Sequence, residues 1–345
     1  MQSKYQKRGN CNMKKAFLLV SLMLSVLLVV GTAFAAPKTA IFSHIMNTDH
    51  HFHKVSEVFI NSVKEESKGQ FKIDYHRGGD LGDWVAQLDQ AMQGIIPMTL
   101  TWNNSELDPK LDLAILGFVA DNWADAKKIY GPGGLLIPEF EKMFDRLGLM
   151  IAGTVPNGFS LFVIRKGVKV PMNFPADARG IKIRIPQFAT GIVRYKALGF
   201  SPVSIPFSEL HTALQTGTVD ARAYGPASEQ PMFADVLDAI VCTREHIDFT
   251  FFVINKKWFN DMSQEEQGWI MKSAKKACAY AWDNAEKFDN DYLKECKDLK
   301  LKVVQLSPEQ QEKYRDIVIK NEWPAFEKIC GKELMDKVRQ VTGIK

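Results

Sequence analysis

The sequence is short of cysteine and of the motifs that usually announce catalysis. Five cysteines occur in 345 residues, and no two stand at the C-x-x-C spacing that many structural zinc sites use. There is no G-x-G-x-x-G after a strand, no phosphate-binding P-loop, no G-x-S-x-G and no H-E-x-x-H. These absences leave an enzyme possible but unsupported, since no Ser/His/Asp or Cys/His arrangement has a spacing that singles it out. A large charge excess is also missing. The formal net charge is +4, but the first 35 residues carry Lys4, Lys7, Arg8, Lys14 and Lys15 and no acid. Beyond them stand 39 basic and 40 acidic residues, a net charge of −1, which removes the electrostatic case for nucleic acid or an anionic membrane as partner. No apolar run after residue 35 is long enough to span a bilayer, and there is no internal repeat or low-complexity segment.

What is present begins with a leader. Met13-Lys14-Lys15 precedes an apolar run from Ala16 to Val30 and then Gly31-Thr32-Ala33-Phe34-Ala35. A basic n-region, an apolar h-region and an Ala-x-Ala-like site predict a secretory signal peptide cut before Ala36, with residues 1–12 preceding its start. The remaining chain of about 310 residues is long enough for two lobes with separate cores. Strand-like stretches at Lys38–His44, Phe71–Tyr75, Met98–Thr101, Leu149–Thr154, Gly180–Ile185, Ser201–Ile205 and Phe249–Ile254 alternate with helical ones, which predicts α/β lobes. Asp83 is the expected N-cap of the helix carrying Val85, Leu88 and Met92. Ser263 to Asp298 reads as one long helix, and Pro308 to Val341 as a helix broken near Pro324.

An exported chain allows Cys242, Cys278, Cys296 and Cys330 to pair. Cys278 and Cys296 lie 18 residues apart on the long helix, about 27 Å, too far to bond each other. The expected pair is Cys296 with Cys330. His44, His50, His51 and His53 cluster in "HIMNTDHHFH"; a loop and helix start capped by Asn47 to Asp49 is favoured over a metal site with Asp49.

The most informative stretch is GIKIRIP, Gly180 to Pro186. Ile181, Ile183 and Ile185 alternate with Lys182 and Arg184, and no acid between Gly180 and Pro186 pairs with the guanidinium. A surface cation is one reading. A fork held for a carboxylate is the other, because guanidinium geometry suits bidentate carboxylate binding.

Phe174 to Ala221, "FPADARGIKIRIPQFATGIVRYKALGFSPVSIPFSELHTALQTGTVDA", resembles the signature of the DctP family, the periplasmic solute-binding proteins of TRAP transporters. "YHRGGDLGDW" is similar to the family's G-G-x-L-G turn, "NTDHHFHK" to its D-H-x-x-H-K start, and "FFVINKKWFNDMSQEEQGWI" to its N-x-x-x-W-x-x-L-x-x-E-x-Q segment. The likeness covers nearly all of the chain after the leader, with the motifs in order. It implies a two-lobed periplasmic-binding-protein-like α/β fold with hinge strands and a long helix bracing both lobes. The expected lobes are 36–156 with 249–290, and 157–248 with 291–345. The implied role is a monomeric periplasmic receptor, without cofactor or metal, that passes a small organic acid to an ion-coupled TRAP permease.

The resemblance also implies a site. Arg184 falls on the arginine that salt-bridges the ligand carboxylate. Ser160 stands where sugar-acid binders often carry a second arginine, which leaves one cation with support. Trp84, Trp102 and Tyr224 fall at expected pocket positions, and Asn157, Phe188, Asn47 and Phe249 complete the expected ligand-binding set. Aromatic walls favour a monocarboxylate with an aromatic or bulky apolar body. A C4-dicarboxylate or a sugar acid is the alternative ligand. A secreted two-lobed hydrolase or lyase, or a ligand-sensing module, are the alternative roles.

Overall fold

The computed structural model describes residues 38–344; the expected leader and cleavage site lie outside the described residues. From Thr39 onward the chain clusters as one compact unit. It opens with β1 (Lys38–Ser43), α1 (His51–Glu66), β2 (Phe71–His76), α2 (Trp84–Met92) and β3 (Met98–Thr101). Helix α1 is capped by the His50 side chain, which accepts from the Phe52 N–H, rather than by Asn47 to Asp49. Its buried Phe52, Val55, Phe59 and Val63 recur at helical spacing on one face. Asp83 caps α2 as expected, accepting from the N–H groups of Val85 and Ala86.

A 3₁₀ segment, Pro109–Ile115, leads to α3 (Trp123–Tyr130), α4 (Ile137–Arg146) and the long strand β4 (Leu149–Phe159). The chain then crosses into a second sheet through β5 (Leu161–Arg165), β6 (Lys182–Ile185), α5 (Ala189–Ala197), β7 (Ser201–Ser204), α6 (Leu210–Thr216), β8 (Ala221–Gly225) and β9 (Leu237–Cys242). It returns along β10 (Ile247–Asn255), followed by α7 (Lys256–Asn260), α8 (Gln264–Asp298), β11 (Lys302–Gln305), α9 (Pro308–Cys330) and α10 (Lys332–Thr342).

The two sheets are ordered β2-β1-β3-β10-β4 and β11-β9-β5-β8-β6-β7. Each belongs to one lobe. The chain passes between them at Ser160 and between Cys242 and Ile247, and the Ser160 N–H donates to the His246 carbonyl at 2.8 Å, tying the two crossings together. Helix α8 braces both lobes. It runs 35 residues, about 50 Å, and packs on α1 and β4 at one end and on β11 and the turn Ala227–Glu229 at the other. Ser263 and Glu266 form a capping box at its start.

Two expectations need correction at the C-terminus. Pro324 does not break the helix: α9 runs through it to Cys330, and Gly331, at φ 84°, ends it. Burial of Glu322, Trp323, Phe326 and Cys330 offsets the lost N–H of Pro324. Residues from Trp323 onward do not stay with the second lobe. Trp323, Phe326, Leu334, Met335 and Val338 pack in the first lobe's core with Leu149, Phe251 and Val253, while Tyr314 and Val318 pack in the second. Helix α9 is thus a further bridge between the lobes.

The Cys296–Cys330 pair is also corrected. All four described cysteines are free and buried. Cys330 sits in the first lobe's core, whereas Cys296 lies in a second-lobe core with Cys242. Burial pushes the thiols of Cys242 and Cys278 up to about 11 and about 12, so little thiolate forms in the folded protein. Alkylation after denaturation without reductant, read by mass spectrometry, is expected to label Cys242, Cys278, Cys296 and Cys330; a Cys296–Cys330 cross-linked peptide would contradict the packing.

Candidate functional site

Strands β6 and β8 build one wall of the cleft. They run parallel, with Arg184 in register with Arg222. Pairing along β8 is irregular between Arg222 and Gly225, and Tyr224 packs with Ala221, Ala223 and Phe188 rather than with the rings under Arg222. Arg184 is 3% exposed, so it is not the surface cation that alternation alone would allow. Its Nε donates to the Ile205 carbonyl at 2.8 Å, and it makes no ion pair with any described residue. Burial, reinforced by the neighbouring Arg222, lowers its pKa to about 9, with Glu229 opposing the shift.

Arg222 is differently situated. Its Nη2 pairs with the Glu229 carboxylate, its Nη1 donates to Gln230 Oε1 at 3.4 Å, and its guanidinium lies over the rings of Phe207 and Phe233. Gly225 permits this arrangement, because a Cβ there would run into the Arg222 guanidinium. Tyr224 takes φ 56°, an uncommon backbone region for a bulky residue. Its ring meets Phe188 edge-on at 5.2 Å, and its buried hydroxyl has no hydrogen-bond partner among the described residues. Such strain beside an unsatisfied polar group is characteristic of ligand clamps.

Phe188 immediately precedes α5 and cannot cap it. Asp112, from the 3₁₀ segment Pro109–Ile115, takes that role, accepting from the N–H and hydroxyl of Thr190 at 3.1 and 3.0 Å. Most of that segment packs in the first lobe's core, so this bond also fastens one lobe to the other beside the pocket wall.

The facing wall comes from the first lobe. Trp84 opens α2 and Trp102 follows β3; their rings meet edge-on at 6.5 Å. The Trp102 indole Nε1 donates to Asp248 Oδ1 at 3.0 Å. Burial and then the Glu229 charge push the Asp248 carboxyl up to about 7, against the pull of Trp102, Asn157 and Arg222. Together Ile45, Met46, Trp84, Trp102, Arg184, Pro186, Phe188, Phe207, Arg222, Tyr224, Glu229 and Asp248 enclose a small cavity of about 40 Å³.

Five of the eight sequence-derived residues therefore converge: Arg184, Trp84, Trp102, Tyr224 and Phe188. Asn157 stands just behind them, donating to Glu229 Oε1 at 3.1 Å and accepting from the Ser228 hydroxyl at 2.6 Å. Asn47 and Phe249 lie elsewhere. Asn47 is exposed on the turn before α1, where its carbonyl accepts from the His50 N–H. Phe249 packs against Tyr130, Phe140 and Phe251 in the first lobe's core, because alternation along β10 turns Asp248, not Phe249, into the cleft. Ser160 is at the crossing between the lobes, away from the cavity.

The histidine cluster is used structurally. His44 Nδ1 accepts from the Met46 N–H and its Nε2 meets the Tyr75 hydroxyl at 2.7 Å, while His51 Nε2 meets the Pro156 carbonyl at 3.0 Å. Burial lowers their pKa values to about 3 and about 4, so both rings are neutral near pH 7.

The family model described as bacterial extracellular solute-binding protein, family 7 (DctP), matches residues 42–328. The chain belongs to this family. Members are the periplasmic solute-binding proteins of TRAP transporters. Among curated relatives, the 2,3-diketo-L-gulonate-binding periplasmic protein YiaO of Escherichia coli strain K12 is 25% identical over 272 residues, covering 78% of this chain and 81% of that protein. The crystal structure of the sugar acid binding protein DctPAm from Advenella mimigardefordensis, in complex with galactonate, superposes with a TM-score of 0.81 at 26% identity. That match covers 89% of this chain and 98% of that one. A TRAP periplasmic solute binding protein from Sulfurospirillum deleyianum, with bound succinate, shares the fold at a TM-score of 0.80 and 22% identity, covering 89% and 100% of the two chains. These relatives are binding proteins rather than enzymes, and no helix among the described residues of this DctP chain is long and apolar enough to cross a membrane.

Three charged residues that line this DctP site have no counterpart in the sequence-based set: Arg222, Glu229 and Asp248. Arg222 enters through its parallel register with Arg184, which brings β8 beside β6. Glu229 and Asp248 are joined to the site only by the turn after β8 and by the return of β10.

Proposed function

We propose that this DctP-family protein captures a small monocarboxylate in the cleft, with Arg184 as the carboxylate anchor, and hands it to an ion-coupled TRAP permease. One observation carries the reading: a guanidinium at 3% exposure that faces the cleft and pairs with no described acid. A buried cation is costly until an anion reaches it, and a carboxylate matches its fork. Trp84, Trp102, Phe188 and Tyr224 surround that anchor, which suits an aromatic or bulky apolar ligand body packed offset or edge-to-face. No step requires catalysis.

The sequence-based expectation of a single cleft cation is corrected by Arg222, which lines the same cavity. Its charge is already met by Glu229, so Arg184 remains the cation with an open valence. A second reading, a C4-dicarboxylate or sugar acid, draws on Arg222 as a second anchor and on relatives bound to succinate and galactonate. A thermal-shift screen separates the two. Aromatic monocarboxylates such as phenylacetate are expected to raise the melting temperature more than succinate, malate or galactonate; the reverse order would favour the second reading.

A further inference from the structure

The cleft has an acidic pole as well as a basic one. Arg184 belongs to the second lobe's sheet and Asp248 to the first lobe's, and both line the same cavity. We infer that the ligand carries, besides its carboxylate, a nitrogen-borne hydrogen-bond donor that the Asp248 carboxylate accepts. The inference rests on the reading of Arg184 as the carboxylate anchor and adds the class of ligand: an amino acid, a cyclic amide acid or an N-heterocyclic acid.

Acceptor capacity is the first support. An ionised carboxylate offers about four lone-pair sites. Trp102 Nε1 fills one at Oδ1, and Asn157 is within bonding reach of the group. Asn157 has further commitments, since its Nδ2 donates to Glu229 and its Oδ1 accepts from Ser228. Asp248 is 6% exposed, so water access to its remaining lone pairs is restricted, and an acceptor left without a donor in such surroundings is costly. The other strong donor nearby, the Arg222 guanidinium, gives Nη2 to Glu229 and Nη1 to Gln230, while its buried Nε has no partner among the described residues.

Charge balance is the second. The cavity residues Arg184, Arg222, Glu229 and ionised Asp248 sum to zero. A zwitterion enters such a cleft without leaving net charge in it, with its carboxylate on Arg184 and its ammonium on Asp248. A simple anion adds an uncompensated negative charge unless Asp248 takes up a proton. The upward shift of Asp248 is what a buried carboxylate beside another acid shows when no cation is paired to it directly.

Matched acids test this on the full-length protein at pH 7.5 by titration calorimetry: phenylalanine against 3-phenylpropanoate, proline against cyclopentanecarboxylate, and indoline-2-carboxylate against indane-2-carboxylate. The nitrogen-bearing member of at least one pair is expected to bind at least ~10-fold more tightly, the size of one hydrogen bond to a charged group. Asp248→Asn is expected to shrink that preference to within ~3-fold. If no nitrogen-bearing acid binds more tightly than its partner, or if Asp248→Asn leaves a preference intact, the inference is overturned. The wild-type comparison decides alone should the variant fail to fold. Failure here is distinct from failure of the carboxylate anchor. Acids that bind only when Arg184 is present but show no nitrogen preference in any pair would overturn the inference and leave the anchor standing. A nitrogen preference that survives in Arg184→Ala would do the opposite.

Discussion

Replacing Arg184 with Met is expected to abolish ligand binding while raising the stability of the ligand-free protein. The guanidinium is buried at 3% exposure and its pKa falls to about 9 in the fold. A cation whose pKa is lower folded than unfolded weakens the fold wherever it is charged. The penalty is therefore fully present below pH 9 and disappears only as the unfolded chain also loses its proton. Its size is on the order of a few kcal/mol. Methionine removes that penalty and keeps much of the apolar stem. It also removes the bond to the Ile205 carbonyl, at a cost of about 1–3 kcal/mol. The net expectation is a gain of about 1–2 kcal/mol in ligand-free stability, the trade of stability for function often found at binding sites. Affinity moves the other way, with an expected loss of about 3–5 kcal/mol when one side of the buried ligand pair is removed. Arg184→Lys should recover little of it, because an ammonium lacks the fork. Urea midpoints and calorimetric titrations on the same preparations check both halves. A variant that binds as tightly as wild type, or whose fold is weakened by several kcal/mol, would contradict the role given to Arg184.

The opposite outcome is expected at Arg194, whose charge is fully partnered. Arg194 is completely buried at the junction of α5, the segment after Pro109–Ile115, the second crossing and α9. Its Nε and Nη2 donate to the Glu322 carboxylate at 2.9 and 2.7 Å, and its Nη1 donates to Glu245 at 3.2 Å. The hydroxyls of Tyr195 and Tyr314 also donate to Glu245, and the Gly117 N–H donates to Glu322 at 3.2 Å. Arg194→Met leaves two buried acids without their cation, and the expected loss of stability is about 3–5 kcal/mol. The loss should depend on pH. Burial already raises the Glu322 carboxyl to about 7 against the pull of Arg194, and removing the arginine raises it further. The folded variant then holds protons that the unfolded chain has released, so its stability falls as pH rises. Urea unfolding at pH 5.5 and 8.0 is expected to show the larger deficit at pH 8.0. A deficit below about 1 kcal/mol, or one equal at both pH values, would contradict the network's role.

Arg184 was legible because a four-residue strand has few ways to sit. Once Ile183 and Ile185 face a core, Arg184 must face the other side, and the surrounding family motifs gave that side a meaning. Trp84 was legible because it follows the turn that resembles the family's G-G-x-L-G, and the Asp83 cap fixes where its helix starts. Asp248 and Glu229 were not. They reach the cavity through the register of β10 and the turn Ala227–Glu229, neither of which a single sequence encodes locally. Phe249 failed for a related reason: every residue of β10 is buried, so hydropathy could not show which face met the cleft. The cysteine pairing failed because α9 carries Cys330 from the second lobe's core into the first, although Pro324 suggested an earlier break.

The most direct test is to identify the small molecule held by the protein purified from the periplasm. Mass spectrometry of what wild type and Arg184→Met release on denaturation provides it. The expected result is an organic acid with one carboxylate, stoichiometric with wild type and absent from the variant. A neutral compound lacking any carboxylate, or the same acid released in equal amount by both proteins, would contradict the central claim that Arg184 captures a carboxylate in this cleft.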